Sequence, residues 1–153
     1  RGPQALALSG RIADGLMISN MCPPGFARHA AGIARPKRLV QYVPCSVGPD
    51  AGQAQQAMKP VLAGLLKTFR ALAQRVPAAR ESLIAHSGIP EADFDTSDPD
   101  QRFLDAFTVT GTAADIRRRL ADYEAAGVTD LVLTFVGASP LHDMAYLLRT
   151  ARG

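Results

Sequence analysis

Gly2-Pro3 opens the first patterned segment and has the form of a helix start, because proline suits a first helical turn and glycine lets a ligand come close to the backbone. First-turn amides have no partner within the helix and attract anions, so the pair offers either a phosphate contact or a plain helix start. Ser19 and Asn20 directly follow the apolar run Leu16-Met17-Ile18. Two short polar side chains at the end of a strand can bond a ligand or serve as turn and cap residues. Met21 and Cys22 share that loop, as pocket lining or as loop packing. Ser46 and Val47 end a second apolar run, and Phe135, Val136 and Gly137 end a third; these could form a wall that needs only shape.

Other chemistry is poorly supported. Cys22 and Cys45 have neither CxxC spacing nor a nearby His/Cys set, which argues against a zinc or redox site and for two reduced thiols in a cytoplasmic protein. His29, His86 and His142 fall on expected helices, where surface or cap positions are the ordinary reading. The formal charge is +3, and the basic residues are scattered except at Lys37-Arg38 and Arg117-Arg118-Arg119. No aromatics interleave with them, so no nucleic-acid partner is expected. No window approaches the roughly 18 uninterrupted apolar residues of a spanning helix, so no membrane partner is expected either. With 47% hydrophobic and 20% charged residues the chain can build one ordinary core.

The elements that must position these residues alternate. A helix over Gln4 to Ile12, with Leu8 and Ile12 at helical spacing, precedes the strand Leu16 to Ile18. Asp14-Gly15 between them is a turn at the strand's other end, with no chemistry assigned. A helix over Phe26 to Ala34 is stopped by Pro36, and a strand follows over Leu39 to Ser46, with Pro44 removing one ladder donor near its end. A long striped helix carries Ala54, Met58, Leu62, Leu66 and Phe69 and should kink at Pro60. A shorter helix over Ala78 to His86 ends at Gly88. Residues 89 to 99, acidic and polar, read as a mobile surface connection. Asp98-Pro99 has the form of a helix start with Phe103, Leu104 and Phe107 on its apolar face. Thr112, with Asp115 three residues on, caps a helix that Gly127 ends. Leu131 to Val136 reads as a parallel strand covered on both faces, and a final helix from Ser139-Pro140 turns Leu141, Met144, Ala145 and Leu148 inward.

This alternation means an α/β fold with a parallel sheet and right-handed crossovers. Three strands cannot close a barrel of roughly 250 residues. The chain is therefore either a small open sheet or about half of something larger. An independent flavodoxin-like sheet is disfavoured, since its phosphate loop should follow a first strand and none precedes Gly2.

Two motifs decide between these. The run from Gly2 to Gly15 (GPQALALSGRIADG) resembles the stretch after the fifth strand of luciferase-like monooxygenases and their deazaflavin-dependent relatives, the methylenetetrahydromethanopterin reductase branch included. Val109 to Ile116, continued by Arg119-Leu120, Tyr123, Ala126 to Thr129 and Leu131 to Leu133, resembles that family's lead into its eighth strand. The resemblance implies a (β/α)8 TIM barrel of which this chain is the C-terminal part, about strands six to eight, with the N-terminal half missing before Arg1. It further implies an oxidoreductase that transfers hydride with coenzyme F-420, or alternatively uses FMN as a monooxygenase, with Gly2, Pro3, Ser19 and Asn20 as cofactor-binding residues. The family's acid/base groups lie on earlier strands, so no catalytic residue is assigned. A catalytically inactive half-barrel acting as a binding or oligomerising unit is the rival. A small-molecule substrate is expected, and open strand edges favour a homo-oligomer.

Overall fold

The computed structural model describes residues 2–137 and 139–150. In chain order the elements are α1 (Pro3–Ile12), β1 (Gly15–Ile18), α2 (Pro24–Ala34), β2 (Arg38–Val47), α3 (Ala51–Arg75), α4 (Pro77–Ser87), a 3-10 turn (Glu91–Asp95), α5 (Gln101–Phe107), β3 (Val109–Gly111), α6 (Ala113–Ala125), β4 (Asp130–Phe135) and α7 (Pro140–Thr150). Every strand pairing is parallel. β2 is central: its residues 38–41 pair with β1, 40–45 with β4, and 45–47 with β3. The expected order of strands six, seven and eight is thus observed as β1, β2, β4.

β3 is an addition to the expected elements. Val40 and Gln41 pair with β1 and β4 at once, and Cys45 pairs with both Val109 and Phe135. A strand has only two edges, so β3 lies on the same edge as β1. It fits there because β1 is four residues long and leaves the end of the ten-residue β2 unpaired. Three residues ending in glycine carry no periodicity of their own.

In-register partners point to the same side of a sheet. One side, with Leu39, Val43, Cys45 and Val47 of β2, packs on Leu6 of α1, Phe26, Ala27 and Ala30 of α2, and Ile116 and Tyr123 of α6. Tyr146 and Leu147 of α7 close that layer. A second core joins α3, α4 and α5 through Met58, Leu62, Leu66, Phe69, Leu83, Phe103 and Phe107. The opposite side of the sheet is buried toward the carboxyl end of β2, at Pro44 and Ser46, and open over the rest: Met17 is 63% and Val132 37% exposed, Thr134 is exposed, and Val40 and Tyr42 are only partly buried. The expectation that β4 is covered on both faces is therefore corrected. Its alternating burial shows helices on one face only.

Four further expectations are corrected. In α1 the buried residue is Leu6, while Leu8 and Ile12 face outward. In α7, Leu141 (79% exposed), Met144 and Leu148 also point outward. That helix carries two adjacent apolar stripes, and the sheet takes the one with Tyr146 and Leu147. Residues 89 to 99 are anchored, with Ile89 and Phe94 buried and Phe94 edge-on to Phe103 at 5.4 Å. Burying one phenylalanine contributes about 1.5–3 kcal/mol, enough to hold a short turn. Its acids are not merely solvated: Asp93 pairs with Arg102 at 2.8 Å, and Glu91 and Asp95 lie near Arg80. The next helix is capped by Asp100, whose carboxylate accepts from the Arg102 amide, rather than by Asp98.

The start of α6 and the stops of α4 and α6 match their sequence signals. Thr112 and Asp115 form a reciprocal capping box on α6, and Gly127 after it has φ +89°. Gly88 ends α4 at φ +74°, in the left-handed region that glycine occupies without strain. Asp50 caps α3, which runs through Pro60 without ending.

Candidate ligand-binding face

Because all strands are parallel, their carboxyl ends share one edge of the sheet, the edge at which ligands of such sheets bind. Ser19 and Asn20 leave β1 there, Ser46 to Gly48 leave β2, Gly111 and Thr112 leave β3, and Val136 and Gly137 leave β4. The sequence-derived candidates at the strand ends are thus gathered on one edge. They do not, however, share one cavity.

Gly2 and Pro3 begin α1 and line a cleft of about 290 Å³ with His29, Glu81, Ser82 and His86. No side chain caps α1 and its first turn holds no acid, so its amides remain available to an anion. A Cβ added at Gly2 would meet nothing within 4 Å; the chain itself does not require glycine there. The His29 and His86 rings lie 4.5 Å apart, and burial, then the neighbouring His29, pushes the His86 imidazole below its usual range. Ser19 instead borders a second cleft, about 280 Å³, with Ala5, Leu6 and Ser9 of α1 and Met17, Cys22 and Phe26. The two clefts are neighbours across α1 and α2.

One residue that positions this edge has no sequence signal of its own. Gln41 is fully buried in mid β2, and its Nε2 donates to the carbonyl oxygens of Ser19 at 3.2 Å, Cys22 at 3.3 Å and Tyr42 at 3.1 Å. Its Oε1 is buried without a partner among the described residues. Gln41 therefore ties the loop carrying Ser19 and Asn20 to the central strand. That loop needs restraint, since Met21 has φ +60° and is buried. A glutamine among apolar strand residues was the only available hint.

A third cleft, about 260 Å³, opens where β2 and β4 end, between the starts of α3 and α7. Ser46, Val47 and Gly137, taken from sequence as wall residues, do line it, together with Gln53, His142 and Asp143. Burial first, then the charge of Asp143, pushes the Cys45 thiol up to about 12, which disfavours its thiolate.

A parallel sheet with helices on one face and polar groups at its carboxyl edge matches a known family. The luciferase-like monooxygenase family model covers residues 1–130. The chain belongs to that family. Among solved structures it is similar to the coenzyme F-420-dependent tetrahydromethanopterin reductase of Methanopyrus kandleri, at TM-score 0.61 and 23% identity over 96% of this chain and 46% of the reductase. It is likewise similar to the oxygenating constituent of 3,6-diketocamphane monooxygenase of Pseudomonas putida in complex with FMN, at TM-score 0.57 and 15% identity over 94% of this chain and 42% of that one. An F-420-dependent secondary alcohol dehydrogenase matches at TM-score 0.51 and 15% identity, over 88% and 41%. The luciferase-like chain thus spans less than half the length of these structures and shares the fold of part of each barrel. Among the described residues no helix is long and apolar enough to cross a membrane.

Proposed function

We propose that this chain is the C-terminal part of a cytoplasmic F-420-dependent oxidoreductase, supplying strands six to eight and one side of the cofactor site. The observation that carries this is the uncovered sheet face. Met17, Val40, Tyr42, Val132 and Thr134 lie where the interior of a closed barrel would be, and parallel strands are stable when both faces are covered. The strands of a preceding half would cover it.

The helix starts support an assignment of the cofactor's phosphate. α3 holds the Asp50 carboxylate on its first-turn amides, α6 holds Asp115, and α7 has Asp143 in its first turn. α1 has neither cap nor acid, as is also true of α2 and α4, and the likeness of the Gly2 run to the family's motif is what singles out α1. An anion therefore suits the amides after Gly2 and Pro3, while Ser19 and Asn20 hydrogen-bond the cofactor body and Gln41 keeps their loop in place. When bound, the deazaflavin supplies hydride transfer to or from a small-molecule substrate. This chain contributes orientation and exclusion of water on one side, and the proton-moving groups belong to the other half.

The reading favours F-420 over FMN on the likeness of both sequence motifs to the reductase branch. FMN is the alternative, favoured by the similar structure that was solved with it. Titration of the 153-residue chain with F-420 and FMN, beside a protein carrying all eight strands, tests both. The chain alone should bind F-420 at least about tenfold more weakly, or 1.4 kcal/mol, and should not turn over. Affinity equal to that of the complete barrel would show that the site is contained here and would overturn the half-barrel reading. Tighter FMN than F-420 binding by the barrel would overturn the cofactor choice.

A further inference from the structure

The cleft between the ends of β2 and β4 carries polar groups that the cofactor assignment leaves idle. Ser46 is 2% exposed and lines the cleft, and its hydroxyl has no hydrogen-bond partner among the described residues. The hydroxyl is not one of the fully buried unpaired polar atoms, so it opens onto the cleft, where a ligand can meet it. Facing the same space is Asp143, whose side chain is only 19% exposed and lies 3.8 Å from His142 Nδ1 on its own helix. Among the described residues no lysine or arginine lines the cleft.

Many barrels bind phosphate beside strands seven and eight, at a helix N-terminus. Here that role is already taken. Asp50 Oδ1 accepts from the Gly52 amide at 2.7 Å and the Gln53 amide at 3.2 Å, and Asp143 stands in the first turn of α7. A second anion would meet two carboxylates and no fixed cation. A carboxylate can only accept, whereas the serine hydroxyl both donates and accepts. The complementary group brings its own hydrogen and no negative charge.

We infer that this cleft is a subsite for an uncharged, hydroxyl-bearing part of a ligand, held by Ser46 Oγ and the Asp143 carboxylate, and that it rejects phosphate. The inference rests on the reading of the carboxyl edge as the ligand face. The α1 start and the cleft then divide the work: anion at Gly2 and Pro3, hydroxyl at Ser46 and Asp143.

The test is amide chemical-shift mapping on the whole chain, titrated separately with ribitol, inorganic phosphate and ethylammonium. Ribitol should shift the amides of Gly48, Gly137 and Asp143 saturably, and phosphate should leave them unmoved. Ser46→Ala and Asp143→Asn should each weaken ribitol at least fivefold while amides of α6 keep their positions; if one variant misfolds, the other carries the comparison. Phosphate or ethylammonium binding there more tightly than ribitol, or a folded Ser46→Ala chain with unchanged ribitol affinity, would overturn the inference. F-420 titrated into the same sample separates the two readings. Ribitol failing while F-420 still moves the amides after Gly2 removes the subsite alone. The reverse removes the cofactor assignment alone.

Discussion

Truncating Gln41 to alanine should release the loop that presents Ser19 and Asn20. The side chain is fully buried and makes two hydrogen bonds to that loop, to the carbonyls of Ser19 and Cys22. Each such bond contributes about 1 kcal/mol net. The void left in mid-sheet adds about 2 kcal/mol, at the low end for large-to-small core changes. Against this, removing the buried, unpartnered Oε1 returns about 1 kcal/mol. Gln41→Ala should therefore cost roughly 3 kcal/mol in urea unfolding. Gln41→Leu fills the volume and also removes the orphan oxygen, so its net cost should be near 1 kcal/mol. Both variants should speed hydrogen exchange at Met21 and Cys22 more than in α6, because the lost bonds are local to the loop. A Gln41→Leu chain with wild-type stability and unchanged exchange at Met21 and Cys22 would refute the idea that this residue holds the loop.

Gly111 sits at φ +132°, and an added Cβ would lie 2.6 Å from Asp115 Oδ2. Gly111→Ala should lose about 2–4 kcal/mol from backbone strain together with the capping box, read as a fall in the urea midpoint; a loss under 1 kcal/mol would mean that β3 shifts freely. Asp130 is held at about 2, first by its hydrogen bond from Arg38 and then by Thr129. Because that folded value lies below the unfolded one, the stabilisation is present above pH of about 4 and vanishes as pH falls through 2. Wild type should accordingly lose stability relative to Asp130→Asn across that window in pH-stepped denaturation, and parallel curves would contradict the pairing. Replacing Leu141 and Leu148 together by lysine should change stability by less than about 0.5 kcal/mol per site, since both face outward, and should lower self-association in sedimentation experiments. A loss near 2 kcal/mol would place that stripe inside the fold.

Local signals were legible wherever a residue's role depends on its near neighbours in sequence. Thr112 and Asp115 announce a helix start because the reciprocal bonds span three residues, and Gly88 and Gly127 announce stops because only backbone conformation is at issue. The apolar runs at Leu16, Leu39 and Leu131 became strands in the expected order, since right-handed crossovers leave parallel neighbours few alternatives. Family membership, too, lay in two contiguous motifs. What depended on distant residues was decided only by the tertiary structure. β3 exists because β1 ends early beside it. α7 buries Tyr146 and Leu147 instead of the equally periodic Leu141 and Leu148, because the phase of a doubly striped helix is set by the sheet it meets. Phe94 became an anchor through Phe103, nine residues away on another element. Gln41 reads as an unremarkable strand polar and Ser46 as a wall residue that needs only shape, and only folding brings one to the Ser19 loop and the other beside Asp143, since the spacing of a strand says which face a side chain takes but not what waits there.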